Sequence, residues 1–276
     1  MRHDRMMFDV ETQYRDATNL NARITLHSRF STHPDGWMRW AFDQMRLAPG
    51  ERILEVGAGP GTLWQQNLDR VPPGCDVTLT DFSAGMVDQA RESLRGAHLP
   101  FGIRRANAEA LPFDDASYDV LMAHYMLYHV PDIQKALSEF RRVLRPGGRV
   151  YAATIGRNHL REISEVVHRF DPENPYDTGN PSLRFGLENG AAQLAPYFEN
   201  VQLRLYEDSL HITEPDPLVS YVVSMMTVGA EFRGERLDGF RRYVQQQFGA
   251  NGPLTVQKAQ GMFEGRRADD RQSTKL

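Results

Sequence analysis

Apolar and polar positions along this chain fall into blocks whose period changes. Between Arg52 and Ile155, short runs rich in Val, Ile and Leu alternate with longer segments whose apolar residues recur every three or four positions. The first kind fits a buried strand and the second one face of a helix. The pattern predicts strands at 52–56, 76–80, 101–105, 118–123 and 148–154, and helices near 62–69, 83–96 and 132–144. Strands alternating with helices predict a parallel sheet with helices on both faces. Right-handed crossovers then bring the strand C-termini to one edge, where ligands collect.

The flanks read differently. Residues Asp9 to about Asn21 are polar and turn-rich, while Trp37, Trp40, Ala41, Gln44 and Met45 fall at helical spacing before Ala48-Pro49-Gly50. After Ile155 the expectation is a helix around His159–Phe170, the loop DPENPYDTGNP, a helix near Leu187–Tyr197, and a strand over Asn200–Thr213 that can bend at Glu207-Asp208. Helices near 216–228 and 234–248 and a last strand near Leu254–Glu264 follow; the charged tail from Gly265 is expected to be disordered.

Candidate chemistry concentrates where the first strand ends. RILEVGAGPGTLW places Gly57, Gly59 and Gly61 directly after an apolar run, and a second run ends in Asp81, twenty residues past Gly61. Strand, glycine turn, helix and acid-ended strand make a nucleotide cradle of the Rossmann type. The turn admits close backbone approach to a ligand, and a carboxylate at Asp81 can accept both hydroxyls of a ribose. A dinucleotide fingerprint needs a glycine where Thr62 stands; the third glycine comes one residue early, with Glu55 before the set. No GKS or GKT and no cation aimed at the turn mark a phosphate site.

Composition narrows the class. The chain has 276 residues, 41% of them hydrophobic, and a formal net charge of -4, so it can bury a full core and carries no electrostatic footprint for nucleic acid. A single cysteine, Cys75, forms no internal disulfide and fits a reducing compartment. No apolar h-region lies in the first thirty residues and no long uncharged apolar stretch follows. The expectation is a cytoplasmic protein with no membrane partner.

The segments EVGAGPG, TDFSAGM, NAEALPFDDASYDV, MLYHVPD and RRVLRPGGRVY, in that order over about residues 50–155, resemble class I S-adenosylmethionine-dependent methyltransferases of the small-molecule branch found in quinone biosynthesis and natural-product tailoring. The resemblance implies a Rossmann-like, seven-stranded, mostly parallel α/β sheet whose last strand is antiparallel, here the 254–264 segment, with helical insertions shaping a pocket. It divides the chain into an N-terminal cap or lid at 1–48, a methyltransferase domain at 49–264 with insertions at about 157–198 and 214–250, and the tail 265–276.

Residue by residue, the resemblance implies that Glu55, Gly57, Gly59 and Gly61 serve the cofactor's methionine moiety and Asp81 its ribose. Phe82 and Met86 would flank the adenine. Asn107, with Ala108, stands where the family usually carries Asp, and its amide oxygen can still accept from the adenine amine. His124 would lie at the cofactor's amino-acid end, and Tyr14 in a segment that folds over the cofactor. Acceptor contacts are assigned to Tyr14, Arg23, Phe30, Tyr128 and Met225.

Methyl transfer from a sulfonium is a direct displacement, so the protein must position the nucleophile and exclude water. A base is needed only for a protonated acceptor, and His124 and His129 are the candidates. Against that, His129 can simply order the loop before Pro131, and Trp37 and Trp40 can be a helix face packed on the sheet. The apolar stripe Leu218, Val219, Tyr221, Val222, Met225, Met226 is core, pocket wall or dimer face. No paired carboxylates complete a metal site with the two histidines.

The leading function is therefore methyl transfer from S-adenosyl-L-methionine, yielding S-adenosyl-L-homocysteine, to O, N or C of a small molecule. An RNA methyltransferase and a non-methylating S-adenosylmethionine-binding protein are the alternatives. Ala123-His124-Tyr125-Met126 lacks the Asn/Asp-Pro-Pro-aromatic run of amino-methylating nucleic-acid enzymes, and Arg141, Arg142, Arg145 and Arg149 suit a solvated helix end. A homodimer is left open.

Overall fold

A computed structural model describes residues 18–174, 180–225 and 232–269. Two helices, α1 (Thr18–Phe30) and α2 (Gly36–Met45), precede the sheet. The alternating core then runs β1 (Arg52–Val56), α3 (Thr62–Gln65), β2 (Asp76–Asp81), α4 (Ala84–Ser93), β3 (Phe101–Arg105), β4 (Tyr118–His124), α5 (Ile133–Val143) and β5 (Leu144–Ile155). After it come α6 (Arg161–Phe170), α7 (Gly190–Leu194), β6 (Glu199–Leu205), β7 (Asp208–Ile212), α8 (Pro215–Val223), α9 (Gly234–Asn251), β8 (Leu254–Lys258) and β9 (Gln260–Arg266).

Seven strands form one sheet in the order β3-β2-β1-β4-β5-β9-β6. β1 pairs in parallel with β2 and β4, while β9 runs antiparallel to both β5 and β6. β4 lies between β1 and β5 and is buried along all but its last residue, which is why it reads as a continuous apolar run. The helices begin where their caps say: Ser83 Oγ accepts from Met86 N–H ahead of α4, and Asp132 Oδ1 from Lys135 N–H ahead of α5.

Two corrections concern the C-terminal strands. The Asn200–Thr213 strand divides into β6 and β7, and the 254–264 strand into β8 and β9. β7 and β8 leave the main sheet and pair with each other, so the seventh, antiparallel strand of the main sheet is 260–266. The pairing register nonetheless carries straight through: Leu205 faces Gly261 in one sheet and Asp208 faces Lys258 in the other. Tyr206 N–H donates to Gln260 O at the bend, 3.0 Å. β6–β7 and β8–β9 are thus one antiparallel ribbon that turns out of the main sheet.

The tail also begins later than expected. Gly265 and Arg266 pair with Val150 and Arg149 in β9, and the Arg267 guanidinium donates to the carbonyls of Arg141, Arg142 and Leu144 at the end of α5.

A second hydrophobic core lies apart from those on the two sheet faces. It joins Leu26 and Phe30 of α1 to α6, β7, α8, α9 and β8 through Ile163, Leu210, Val222, Phe240 and Val256. Thr18–Asn21, read as polar and turn-rich, form the first turn of α1. Leu26 and Phe30, spaced four apart, put a short apolar stripe on that helix and fix it to the cap.

Candidate functional site

The glycine turn occupies the C-terminal edge of β1. Gly57, Gly59 and Gly61 have φ of 72°, 56° and 77°, a left-handed region that side chains other than glycine rarely adopt. At Gly57 a Cβ would also lie 2.6 Å from Met126 Cβ. The turn is pinned from the next strand: Gly57 and Ala58 N–H donate to Thr80 O, and Gly59 N–H donates to Asp81 Oδ2 at 2.9 Å. The other carboxylate oxygen, Oδ1, accepts from Ser83 N–H at 2.8 Å.

Burial raises the Asp81 carboxyl, and the backbone N–H groups of Ser83, Gly59 and Phe82 oppose that rise. Each oxygen keeps a lone-pair direction for another donor. Among the described residues no cation pairs with this half-buried carboxylate over the glycine turn, which fits a diol.

Glu55 sits inward of the turn and is 3% exposed. Its Oε2 accepts from Trp64 Nε1–H at 2.6 Å, and its Oε1 lies 3.7 Å from His124 Nδ1. Burial pushes the Glu55 carboxyl up to about 8, beyond what the Trp64 hydrogen bond recovers. Burial likewise lowers His124 to about 4, so at neutral pH the pair is carboxylic acid and imidazole. Glu55 thus ties the first strand's end to that of β4.

The adenine-side candidates are less open than the sequence suggested. Met86 is 1% exposed, inside the first turn of α4. Phe82 is half-buried, with the Arg105 guanidinium 5.2 Å from its ring. Asn107 Oδ1 already accepts from Glu109 N–H at 2.9 Å, closing a local turn, so only its second lone pair can serve a ligand. The Ala108 side chain packs in the core beneath β4, leaving its backbone.

The expected bases are corrected in strength. His124 ends β4, and His129 closes the short 3₁₀ turn Leu127–His129. Burial, with the charges of Arg23 and Arg184 added, lowers His129 to about 4 as well. The match to a neutral-pH base that singled out these imidazoles is lost. Tyr128 is half-buried with its ring 4.6 Å from that of His129.

Of the acceptor candidates, Phe30 is 7% exposed and belongs to the second core, so its role is packing. Met225 packs against the same core from the end of α8. Arg23 donates through Nε to Ser224 Oγ at 3.2 Å and through Nη2 to Ser224 O. Tyr14 and Met226, with residues 1–17 of the proposed lid, lie outside the described residues.

Residues not singled out by sequence complete the surroundings. Tyr125, directly after β4, has φ of 53°, which for a bulky side chain is strained backbone of the sort found at functional sites. Its hydroxyl donates to Gln260 Oε1 at 3.2 Å. The Trp37 ring bridges His124, Tyr125 and Tyr206 at 6.4, 5.0 and 5.3 Å. The helical spacing of Trp37 was visible; Tyr206 and Gln260, brought in by the ribbon bend, had no local signal.

Three of the four clustered arginines are paired with carboxylates. Arg142 pairs with Glu139 and Asp115, Arg145 with Asp119 and Arg149 with Glu51. Among the described residues no group of three or more His, Cys, Asp or Glu could hold a metal, and no helix is long and apolar enough to cross a membrane.

The family model described as a methyltransferase domain matches residues 54–152. Over 136 residues the chain is 35% identical to the ubiquinone/menaquinone biosynthesis C-methyltransferase UbiE of Vibrio parahaemolyticus, covering 49% of this chain and 52% of that one. The chain spans about half the length of the curated relatives it matches. A putative methyltransferase of Bacillus halodurans shares the fold with TM-score 0.59 at 15% identity, over 84% of this chain and 98% of that one. The YcgJ protein of Bacillus subtilis does so with TM-score 0.57 at 18% identity, over 84% and 97%. The glycine turn and the acid of β2 both lie within the matched residues, and residues 54–152 are similar to a methyltransferase domain.

Proposed function

We propose that this protein transfers a methyl group from S-adenosylmethionine to a small-molecule acceptor by in-line displacement. The observation that carries the reading is the Asp81 carboxylate, held over the glycine turn by Gly59 N–H and Ser83 N–H. Asp81 would take the ribose hydroxyls, the turn at Gly57, Gly59 and Gly61 would admit the methionine moiety, and Asn107 would meet the adenine amine. The bound cofactor supplies an activated methyl group. The chain's own residues orient the acceptor and keep water away, and neither task needs a strong acid.

Where the acceptor atom starts protonated, His124 Nε2, buried and without a hydrogen-bond partner among the described residues, would receive the proton only as a weak base. The small-molecule reading is also supported by the relatives, which are named for quinone biosynthesis. Arg142, Arg145 and Arg149, the nearest approach to a basic cluster in the sequence, are paired with carboxylates, which argues against their use on a phosphate backbone. A cytosolic setting suits the lone buried thiol Cys75. A homodimer would use the edge strand β6, where Leu203 and Leu205 are exposed.

Calorimetry with S-adenosylhomocysteine tests the reading. The protein should bind it, and the Asp81→Asn and Asp81→Ala variants should lose affinity in that order. Equal affinity in all three proteins would refute the ribose assignment. Formation of S-adenosylhomocysteine with an acceptor panel separates a transferase from a cofactor-binding protein.

A further inference from the structure

The main sheet ends in β3 on one side and β6 on the other, and the two edges are finished differently. A free edge is a row of backbone N–H and C=O groups ready to pair with another extended chain. On β3 the Arg91 guanidinium donates to Ile103 O at 3.1 Å, and Arg104 and Arg105 stand exposed along the strand. Among the described residues no strand pairs with the outer edge of β6. That strand carries no lysine or proline, and Leu203 and Leu205 are 39% and 58% exposed. They are two of the three exposed large hydrophobic residues among those described.

The pairing register settles which backbone groups are free. In an antiparallel ladder, opposed residues alternate between exchanging hydrogen bonds and turning those groups to the other side. Gly156 N–H donates to Ala259 O, one step past the Ile155–Gln260 pair, so the odd-numbered residues of β9 bond to β5. The even-numbered ones bond to the β6 side, in agreement with the Tyr206 N–H to Gln260 O bond. Met262 and Glu264 therefore bond to Arg204 and Gln202, and the N–H and C=O groups of Leu203 and Leu205 point away from the sheet. The exposed leucines and the free backbone groups belong to the same residues.

We infer that β6 pairs with itself: two copies of this chain join antiparallel about Leu203, and one sheet runs through both across a twofold axis. Leu203 then faces the partner's Leu203, and each Leu205 faces the partner's Val201, so one side of the seam is apolar throughout. The neighbouring registers are poorer. Centred on Gln202, the seam sets Leu205 against the partner's Glu199; centred on Arg204, it opposes two guanidiniums. In the register about Leu203, Arg204 meets the partner's Gln202, and Glu264 already neutralises it at 3.0 Å. No unpaired charge enters the seam. Assembly stops at two, because each copy spends its one open edge and Arg91 closes the other. The inference rests on the geometry of the sheet and not on the methyl-transfer reading.

A seam from Val201 to Leu205 lies at the small end of protein interfaces, so the dimer should depend on concentration. Sedimentation velocity on the full chain, from about 1 to about 200 μM, should show monomer passing to dimer and to nothing larger. Leu203→Arg should weaken the association at least tenfold. Leu183→Arg, on the equally exposed turn before α7, should change it by less than about twofold. A short bis-maleimide should trap Leu203→Cys as a covalent dimer and leave Leu183→Cys monomeric. Cys75 is buried, so the unaltered chain serves as the blank.

Monomer throughout the range, undiminished association of Leu203→Arg, or trapping of Leu183→Cys in place of Leu203→Cys would overturn the self-pairing. So would dimerisation that appears only after removal of residues 270–276, since the chain's own end would then be the occupant of the edge. If Leu203→Arg does not fold, the cysteine variants and the unaltered chain decide.

Discussion

The glycine turn and the aromatic cluster around Trp37 are built by opposite means. The turn is backbone, drawn from two short stretches, 55–61 and 80–83, whose own sequence dictates their shape. The cluster is side chains, gathered from α2, the end of β4 and the bend of the ribbon. A site made of backbone tolerates change around it but not within it. A site made of distant side chains depends on the packing that assembles them, so substitutions in the cap should reach one half of the molecule and spare the other.

The hardest test of that division is Gly57→Val. The left-handed φ and the 2.6 Å approach of Met126 Cβ leave no room for a side chain, so S-adenosylhomocysteine binding should vanish in calorimetry together with a marked fall in Tm. Phe30→Ala strikes the other half. Emptying a buried phenylalanine position costs about 3–5 kcal/mol, to be read by denaturant unfolding, while S-adenosylhomocysteine affinity of the folded fraction should stay unchanged. A parallel loss of that affinity would show the two halves to be one cooperative unit.

Asp81→Ala should cost about 1.5–3 kcal/mol for each charged hydrogen bond to the ligand, at least a tenfold loss of affinity. Part of that loss reflects the freed N–H groups of Gly59 and Ser83.

The smallest effect concerns pH. His124 and His129 fall from 6.5 to about 4 on folding, so between those values the unfolded chain binds more protons and stability rises with pH. Glu55 rises from 4.5 to about 8, so across that window the folded chain binds more and stability falls as pH rises. His27 and His159 are lowered in the same direction, so four imidazoles outweigh one carboxyl below pH 6.5, and the Glu55 carboxyl dominates above it. Tm should therefore peak near pH 6.5, and Glu55→Gln should remove the decline toward pH 8 while keeping the acid limb.

How much could be read in advance follows the same division. β1 to β4 and α4 to α5 were legible to within a few residues, because the buried strands β1, β2 and β4 are largely apolar runs and Ser83 and Asp132 announce their helices. The division of β6 from β7 was legible only as a bend at Glu207-Asp208, where the apolar positions shift from Val201, Leu203 and Leu205 to Leu210 and Ile212; that β7 leaves the main sheet to pair with β8 had no signal. Ala259 hides the break between β8 and β9. Leu26 and Phe30 gave too short a stripe to reveal a core whose other members lie far along the chain. The role of Glu55 as a buried link to His124 was also out of reach, because sequence places it beside the glycines without saying which way the carboxyl faces.

The ribbon has a mechanical consequence. Its two chains cross from the main sheet to the cap side by side, in register, with the Tyr206–Gln260 hydrogen bond at the crossing. A cap hung on one chain could swing; one carried by a double strap resists rotation about that line. A further tie lies where α1 meets α8, and there Arg23 and Ser224 latch the two ends together, so the N-terminal helix moves with the cap rather than with the sheet.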